Sequence, residues 1–118
     1  MRVLYVEDHE DLRELTVEIL AEWQLDFEAV DSAEAALAAF QRQPFDLLLT
    51  DVSLPGVLGT ALAKQLMSRH PALRVVFLSG YDLGLLTDWG PQVSAMVKPV
   101  DDDALKARLD EVRRGLQT

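Results

Sequence analysis

With 118 residues, a formal net charge of −9 and no cysteine, the chain has the length of one ordinary domain and no means to form disulfides or thiolate metal sites. The acidic balance argues against nucleic-acid binding, which wants clustered Lys and Arg, and otherwise serves solubility. Met1-Arg2 followed by four apolar residues is no signal peptide, and no apolar run nears the roughly 20 residues of a membrane-spanning helix, so a cytoplasmic protein without membrane attachment is expected.

Arg2-Val3-Leu4-Tyr5-Val6 reads as a short buried strand ending at Glu7-Asp8. Leu12, Leu15, Ile19, Leu20 and Trp23 then recur at helical spacing, which predicts a helix over Asp11 to Trp23. Leu25 to Val30 is a looser strand, with Asp26 and Glu28 alternating with apolar residues as at an exposed position. Asp31 and Ser32 are expected to cap a helix running to about Gln41, Asp31 and Glu34 having capping-box spacing. Phe45 to Asp51 carries a run of aliphatics that ends at a carboxylate, and Pro55-Gly56 then turns the chain away. Asp46 is read as no more than the start of this strand.

Leu58, Leu62 and Leu66 mark a third helix, closed by His70-Pro71. Arg74 to Leu78 is rich in β-formers and ends at Ser79-Gly80. Tyr81 to Pro91, broken by Gly84, Gly90 and Pro91, holds at most one short helix. Ser94 to Val97 is a short strand ending at Lys98-Pro99, and Asp101 or Asp102 caps a last helix with Leu105, Leu109, Val112 and Leu116 on one face. Five strands alternating with five helices predict an α/β, doubly wound parallel sheet with helices on both faces, one domain over residues 1–118.

In such a sheet the strand ends Glu7-Asp8, Asp51, Ser79 and Lys98 converge on one crevice. Three carboxylates placed together repel unless a cation meets them, and an all-oxygen donor set favours a hard divalent ion such as Mg2+. A carboxylate can attack phosphorus, a lysine can offset the charge of phosphoryl oxygens, and a serine hydroxyl can donate to one. The pattern therefore suits a phosphoryl group accepted on Asp51, with Lys98 and Ser79 beside it. Taken singly, Ser79-Gly80 is an ordinary turn, Lys98 a surface lysine, and Glu7-Asp8 a solvated helix N-terminus. His9 and His70 read as loop residues, Trp89 as a half-buried packing residue, and Asp101-Asp102-Asp103 as helix-capping charge.

Glu7-Asp8, Thr50-Asp51-Val52-Ser53-Leu54-Pro55-Gly56, Ser79-Gly80 and Lys98-Pro99, in this order over essentially the whole chain, resemble the receiver domains of bacterial response regulators. The resemblance implies a flavodoxin-like sheet in the order 2-1-3-4-5 and a phosphoacceptor role for Asp51. It further implies Mg2+ held by Asp8, Asp51 and the Ser53 carbonyl, with Glu7 acting through a water. Ser79 becomes the switch hydroxyl, Lys98 the partner of the phosphoryl group, Ser53 and Tyr81 the flanking side chains that set phosphate lifetime, and Pro99 a cis-proline. The implied partners are a sensor histidine kinase or a histidine phosphotransfer protein and an unnamed output protein. A homodimer is compatible with the sequence.

Two departures fall on the face that usually carries the signal. Ala95 stands where the family has an aromatic three residues before the lysine, and the nineteen residues from Ser79 to Lys98 leave little room for a full fourth helix. Two rival readings follow. One is a pseudo-receiver that signals by binding without phosphate. The other is a small aspartyl-phosphate phosphatase, although Asp51-Val52-Ser53 lacks that group's Asp-x-Asp. Nucleotide binding is not expected, because no glycine-rich loop follows the first strand.

Overall fold

The computed structural model describes residues 1–80 and 89–116. Five strands, β1 (Arg2–Val6), β2 (Asp26–Val30), β3 (Leu47–Asp51), β4 (Arg74–Ser79) and β5 (Val93–Val97), form one parallel sheet in the order β2-β1-β3-β4-β5. The helices are α1 (Glu10–Glu22), α2 (Ala33–Arg42), α3 (Gly59–Arg69) and α4 (Asp102–Leu116). The expected doubly wound class and strand order are thus present, with four helices rather than five among the described residues. The segment Tyr81 to Pro91, for which at most one short helix was expected, falls outside the described residues over 81–88.

The three central strands are aliphatic on both faces because both faces are covered. Leu4, Val6, Leu48, Val75 and Phe77 point to one side, where Ala36, Phe40, Leu62 and Leu66 of α2 and α3 bury them. Val3, Tyr5, Leu47, Leu49, Val76 and Leu78 point to the other, against Leu20 of α1 and Leu105 and Leu109 of α4. At about 2 kcal/mol for each fully buried Leu, Val or Phe, this two-sided core fixes the strands whose ends carry the polar residues. The alternating acids of β2 are those of an edge strand, where Asp26 meets Arg2 at 3.0 Å and Glu28 meets Arg42 at 2.6 Å.

Several boundaries differ from expectation for local reasons. α1 begins one residue early, because His9 Nδ1 accepts the Leu12 N–H at 3.3 Å and so caps it. At α2 the Ser32 hydroxyl accepts the Ala35 N–H at 3.1 Å, which puts Ala35 where a capping box needs a Glu or Gln; the Asp31–Glu34 box is not formed. Leu58 precedes α3 instead of lying on its apolar face and is 58% exposed. The Asp101 carboxylate caps α4 through the Ala104 N–H at 3.3 Å, as expected of that acidic run. Asp46 does more than start β3, since its carboxylate accepts the Arg2 N–H at 2.7 Å and ties the two strand starts together.

Candidate functional site

β1 lies between β2 and β3, so the chain leaves the carboxyl ends of β1 and β3 in opposite directions and opens a crevice there. The β1–β3 register pairs Val6 with Thr50, which brings the next residues, Glu7-Asp8 and Asp51, together. Glu7, Asp8 and Asp51 each offer a carboxylate oxygen within 4.8 Å of the others. Lys98, one residue beyond β5, donates its backbone N–H to the Ser79 carbonyl at 2.6 Å and so enters from the far side. Its ammonium donates to Glu7 Oε1 at 3.0 Å and to Asp51 Oδ2 at 2.8 Å. The Lys98–Pro99 peptide is cis, as the family pattern implied.

Burial sets the electrostatics. The Glu7 side chain is 1% exposed, Asp51 14% and Lys98 25%. Burial pushes the Glu7 carboxyl above its ordinary range, and nearby Asp51 adds to this; Lys98 and the His9 N–H, bound at 3.2 Å, pull the other way without cancelling it. Burial alone would lower Lys98, but its hydrogen bonds and charge contacts with Asp51 and Glu7 outweigh that, and its pKa is raised. One ammonium thus faces three carboxylates. An all-oxygen cluster left two positive charges short suits a small hard divalent cation, which is the chemistry of this donor set.

Glu7, Asp8, Asp51 and Lys98 are therefore brought together as the sequence predicted. The Ser53 backbone N–H donates to Asp51 Oδ1 at 3.3 Å, while its side chain is exposed. Ser79 is buried at the end of β4, one residue beyond the Leu78 that pairs with Asp51. Tyr81 lies outside the described residues. Ala95 is half-buried on β5 and pairs with Phe77 of β4, and Trp89 packs edge-on against Phe77 at 5.5 Å between ring centroids with Lys64 5.3 Å from its own. Trp89 is thus the packing residue expected. His9 is an exposed helix cap, and His70 ends α3 with its ring 4.9 Å from Phe40.

Two residues at the site escaped the sequence reading. Gly59 opens α3 so close to β3 that a Cβ there would run into the Asp51 carbonyl oxygen. A second glycine three residues after Gly56, just where a helix starts, was the available signal. Arg13 donates from Nη1 to the Glu7 carbonyl at 2.9 Å. Its signal was being the lone cation in a helix with acids at Glu10, Asp11, Glu14, Glu18 and Glu22.

The chain is similar to several known proteins. The response regulator protein FleR of Pseudomonas aeruginosa is 41% identical over 80 residues, covering 68% of this chain and 17% of FleR. The response regulator receiver protein CpdR of Brucella abortus is 32% identical over 80 residues, covering 68% of this chain and 67% of CpdR. The virulence sensor protein BvgS of Bordetella pertussis is 32% identical over 127 residues, covering 94% of this chain and 10% of BvgS. The chain thus spans a small part of FleR and BvgS and two thirds of CpdR.

Among solved structures, the receiver domain of the hybrid histidine kinase CckA superposes with a TM-score of 0.80 at 28% identity, over 95% of this chain and 98% of that one. The response regulator TrrA of Thermotoga maritima, in complex with Mg2+ and BeF, gives 0.81 at 25% identity over 94% and 97%. Residues 3–110 match the family model of the response regulator receiver domain. Sharing that family's sequence pattern, strand order and acidic crevice, this chain belongs to the response regulator receiver domain family.

Proposed function

We propose that residues 1–118 form a single receiver domain that takes a phosphoryl group on Asp51 from a phosphohistidine and thereby changes its affinity for an output protein. The observation that carries this reading is the Lys98 ammonium held between Asp51 and Glu7, within a cluster of three carboxylates. In the transfer, an Asp51 carboxylate oxygen forms the bond to phosphorus as the phosphorus–nitrogen bond of the donor breaks and the imidazole leaves with that electron pair. Lys98 would pair with the phosphoryl oxygens, and the Ser79 hydroxyl would donate to one of them.

Asp8, Asp51 and the Ser53 carbonyl would hold Mg2+, with Glu7 reaching it through a water; the oxygen-only donor set fits that ion. Bound there, the ion would offset the negative charge of the transferred group. TrrA, with its bound Mg2+ and BeF, supports the cofactor, and the receiver of CckA supports a histidine-kinase donor. The phosphodonor is then a sensor histidine kinase or a histidine phosphotransfer protein, and the chemistry is self-modification in signalling without turnover of a free substrate. No helix among the described residues is long and apolar enough to cross a membrane, which accords with a cytoplasmic setting.

The test is intact mass after incubation with acetyl phosphate and Mg2+, for the wild type and Asp51→Asn. A gain of roughly 80 Da, one phosphoryl group, in the wild type alone and only with Mg2+ supports the reading. If no adduct forms and beryllofluoride with Mg2+ leaves the amide spectrum unchanged, the chain is a pseudo-receiver. Turnover of p-nitrophenyl phosphate would instead favour a phosphatase.

A further inference from the structure

The Glu7–Asp8 turn is held unevenly. Every polar atom of Glu7 has a partner: its N–H donates to the Val30 carbonyl at 3.1 Å, Oε1 accepts from Lys98, Oε2 accepts from the His9 N–H, and its carbonyl accepts from Arg13. Asp8 next to it is exposed, and no hydrogen bond or ion pair among the described residues holds its carboxylate. Yet this carboxylate completes the acidic cluster. Its placement comes from the main chain alone.

The Glu7 carbonyl and the Asp8 N–H share one planar peptide unit that includes the Asp8 Cα, so whatever fixes the carbonyl fixes where that Cα sits and thus the point from which the side chain sets out. That carbonyl is gripped by Arg13, a half-buried guanidinium on the first turns of α1. α1 is in turn anchored at its start by the His9 cap. We propose that Arg13 is a positioning residue: through the Glu7 carbonyl it orients Asp8 toward the cation that the acidic cluster takes. The inference rests on the Mg2+-dependent reading above and names a residue for that site.

The two roles Arg13 could play have opposite signs. As a mere positive charge it repels a divalent cation, and its removal would tighten Mg2+ binding. As a positioning residue its removal weakens Mg2+ binding despite that lost repulsion, and outer groups that orient a ligand commonly carry on the order of tenfold in metal affinity.

The experiment is a Mg2+ titration of the full chain, followed by amide shifts in NMR, for wild type, R13K, R13M and R13Q, each variant first checked for a native amide spectrum. Weakening on the order of tenfold in R13M and R13Q, with most of the affinity restored in R13K, is the expected result. Equal or tighter binding in R13M and R13Q overturns the proposal. If the wild type itself takes no Mg2+, the functional reading fails separately, and the metal-free spectra decide the positioning. The Glu7 carbonyl 13C and Asp8 15N resonances should then move in R13M and stay in R13K; no movement in R13M overturns it.

Discussion

Gly59→Ala tests whether the junction that presents Asp51 is as tight as its geometry states. A methyl group at residue 59 would overlap the Asp51 carbonyl oxygen and lie 3.0 Å from the Asp51 carbonyl carbon and 3.1 Å from Val52 Cα. All three neighbours are backbone, so no side-chain rotation relieves the overlap. The Gly59 N–H already donates to the Val52 carbonyl at 2.6 Å, which leaves the start of α3 no slack in that direction. Overpacking of a tight interior costs typically 1–3 kcal/mol, and a clash with backbone belongs at the upper end, so about 3 kcal/mol is expected. Gly56→Ala is the control: nothing lies within 4 Å of its Cβ position, and only its φ of +75° opposes the change, at about 1 kcal/mol. Urea denaturation followed by circular dichroism, in Mg2+-free buffer and with unchanged m-values, gives both numbers. If Gly59→Ala lies within about 0.5 kcal/mol of wild type, the size of an ordinary surface substitution, or Gly56→Ala proves the worse of the two, the close approach of α3 to β3 is not what holds Asp51.

The C-terminus of α1 gives a stabilising change: Gln24 sits at φ 58°, its N–H bound to the Ala21 carbonyl at 3.0 Å and the next N–H, of Leu25, to the Leu20 carbonyl at 3.3 Å, the pattern that glycine favours. Gln24→Gly should therefore raise stability by about 0.5–1 kcal/mol, read as a higher thermal midpoint; a lower midpoint would reject this account of the turn. Because burial raises the Glu7 pKa above the ordinary 4.5 of the unfolded chain, the folded metal-free chain keeps a proton that the unfolded chain loses first. Its contribution to stability is thus present below 4.5 and lost as pH rises through the higher folded value. Denaturation in EDTA should show that loss in wild type and a flatter profile in Glu7→Gln, and Mg2+ affinity should rise over the same window; parallel profiles for the two proteins would contradict the shift. Tyr5 is buried, and its hydroxyl, beside Thr16 without a well-formed hydrogen bond, is pushed up to about 12 from 10.0, mainly by burial. Wild type should lose roughly 2–3 kcal/mol between pH 10 and 12 relative to Tyr5→Phe, whose profile is the check on that assignment.

Most of the framework was legible because the central strands obey one strong rule. Residues such as Leu47-Leu48-Leu49 are aliphatic on both faces, and only a strand covered on both sides needs that. The strand-end polar residues were legible for the complementary reason: a carboxylate at the end of such a run, as at Asp51, is expensive unless partners await it. Helix starts were less so. Ser32 was chosen as the cap over Asp31, and His9 caps α1 although histidine is no common cap, because the choice depends on backbone angles that neighbouring strands impose. Gly59 and Arg13 were missed because what they contact is backbone, the Asp51 and Glu7 carbonyls, and a main-chain partner leaves no complementary residue type to find in the sequence.

The charge at the crevice is not balanced by the chain itself. Glu7 is almost wholly buried and Asp51 nearly so, and among the described residues a single ammonium serves both while Asp8 has none. Three like charges within 4.8 Å destabilise the folded state, and the large two-sided core absorbs that cost. A cation that binds the folded chain and not the unfolded one adds about 2.7 kcal/mol at a hundred times its dissociation constant. The same excess of negative charge that strains the metal-free chain is therefore the source of its affinity for a cation. Asp8→Asn, which removes the one carboxylate of the three that has no pairing to lose among the described residues, should move the two quantities in opposite directions, raising metal-free stability while weakening Mg2+ binding.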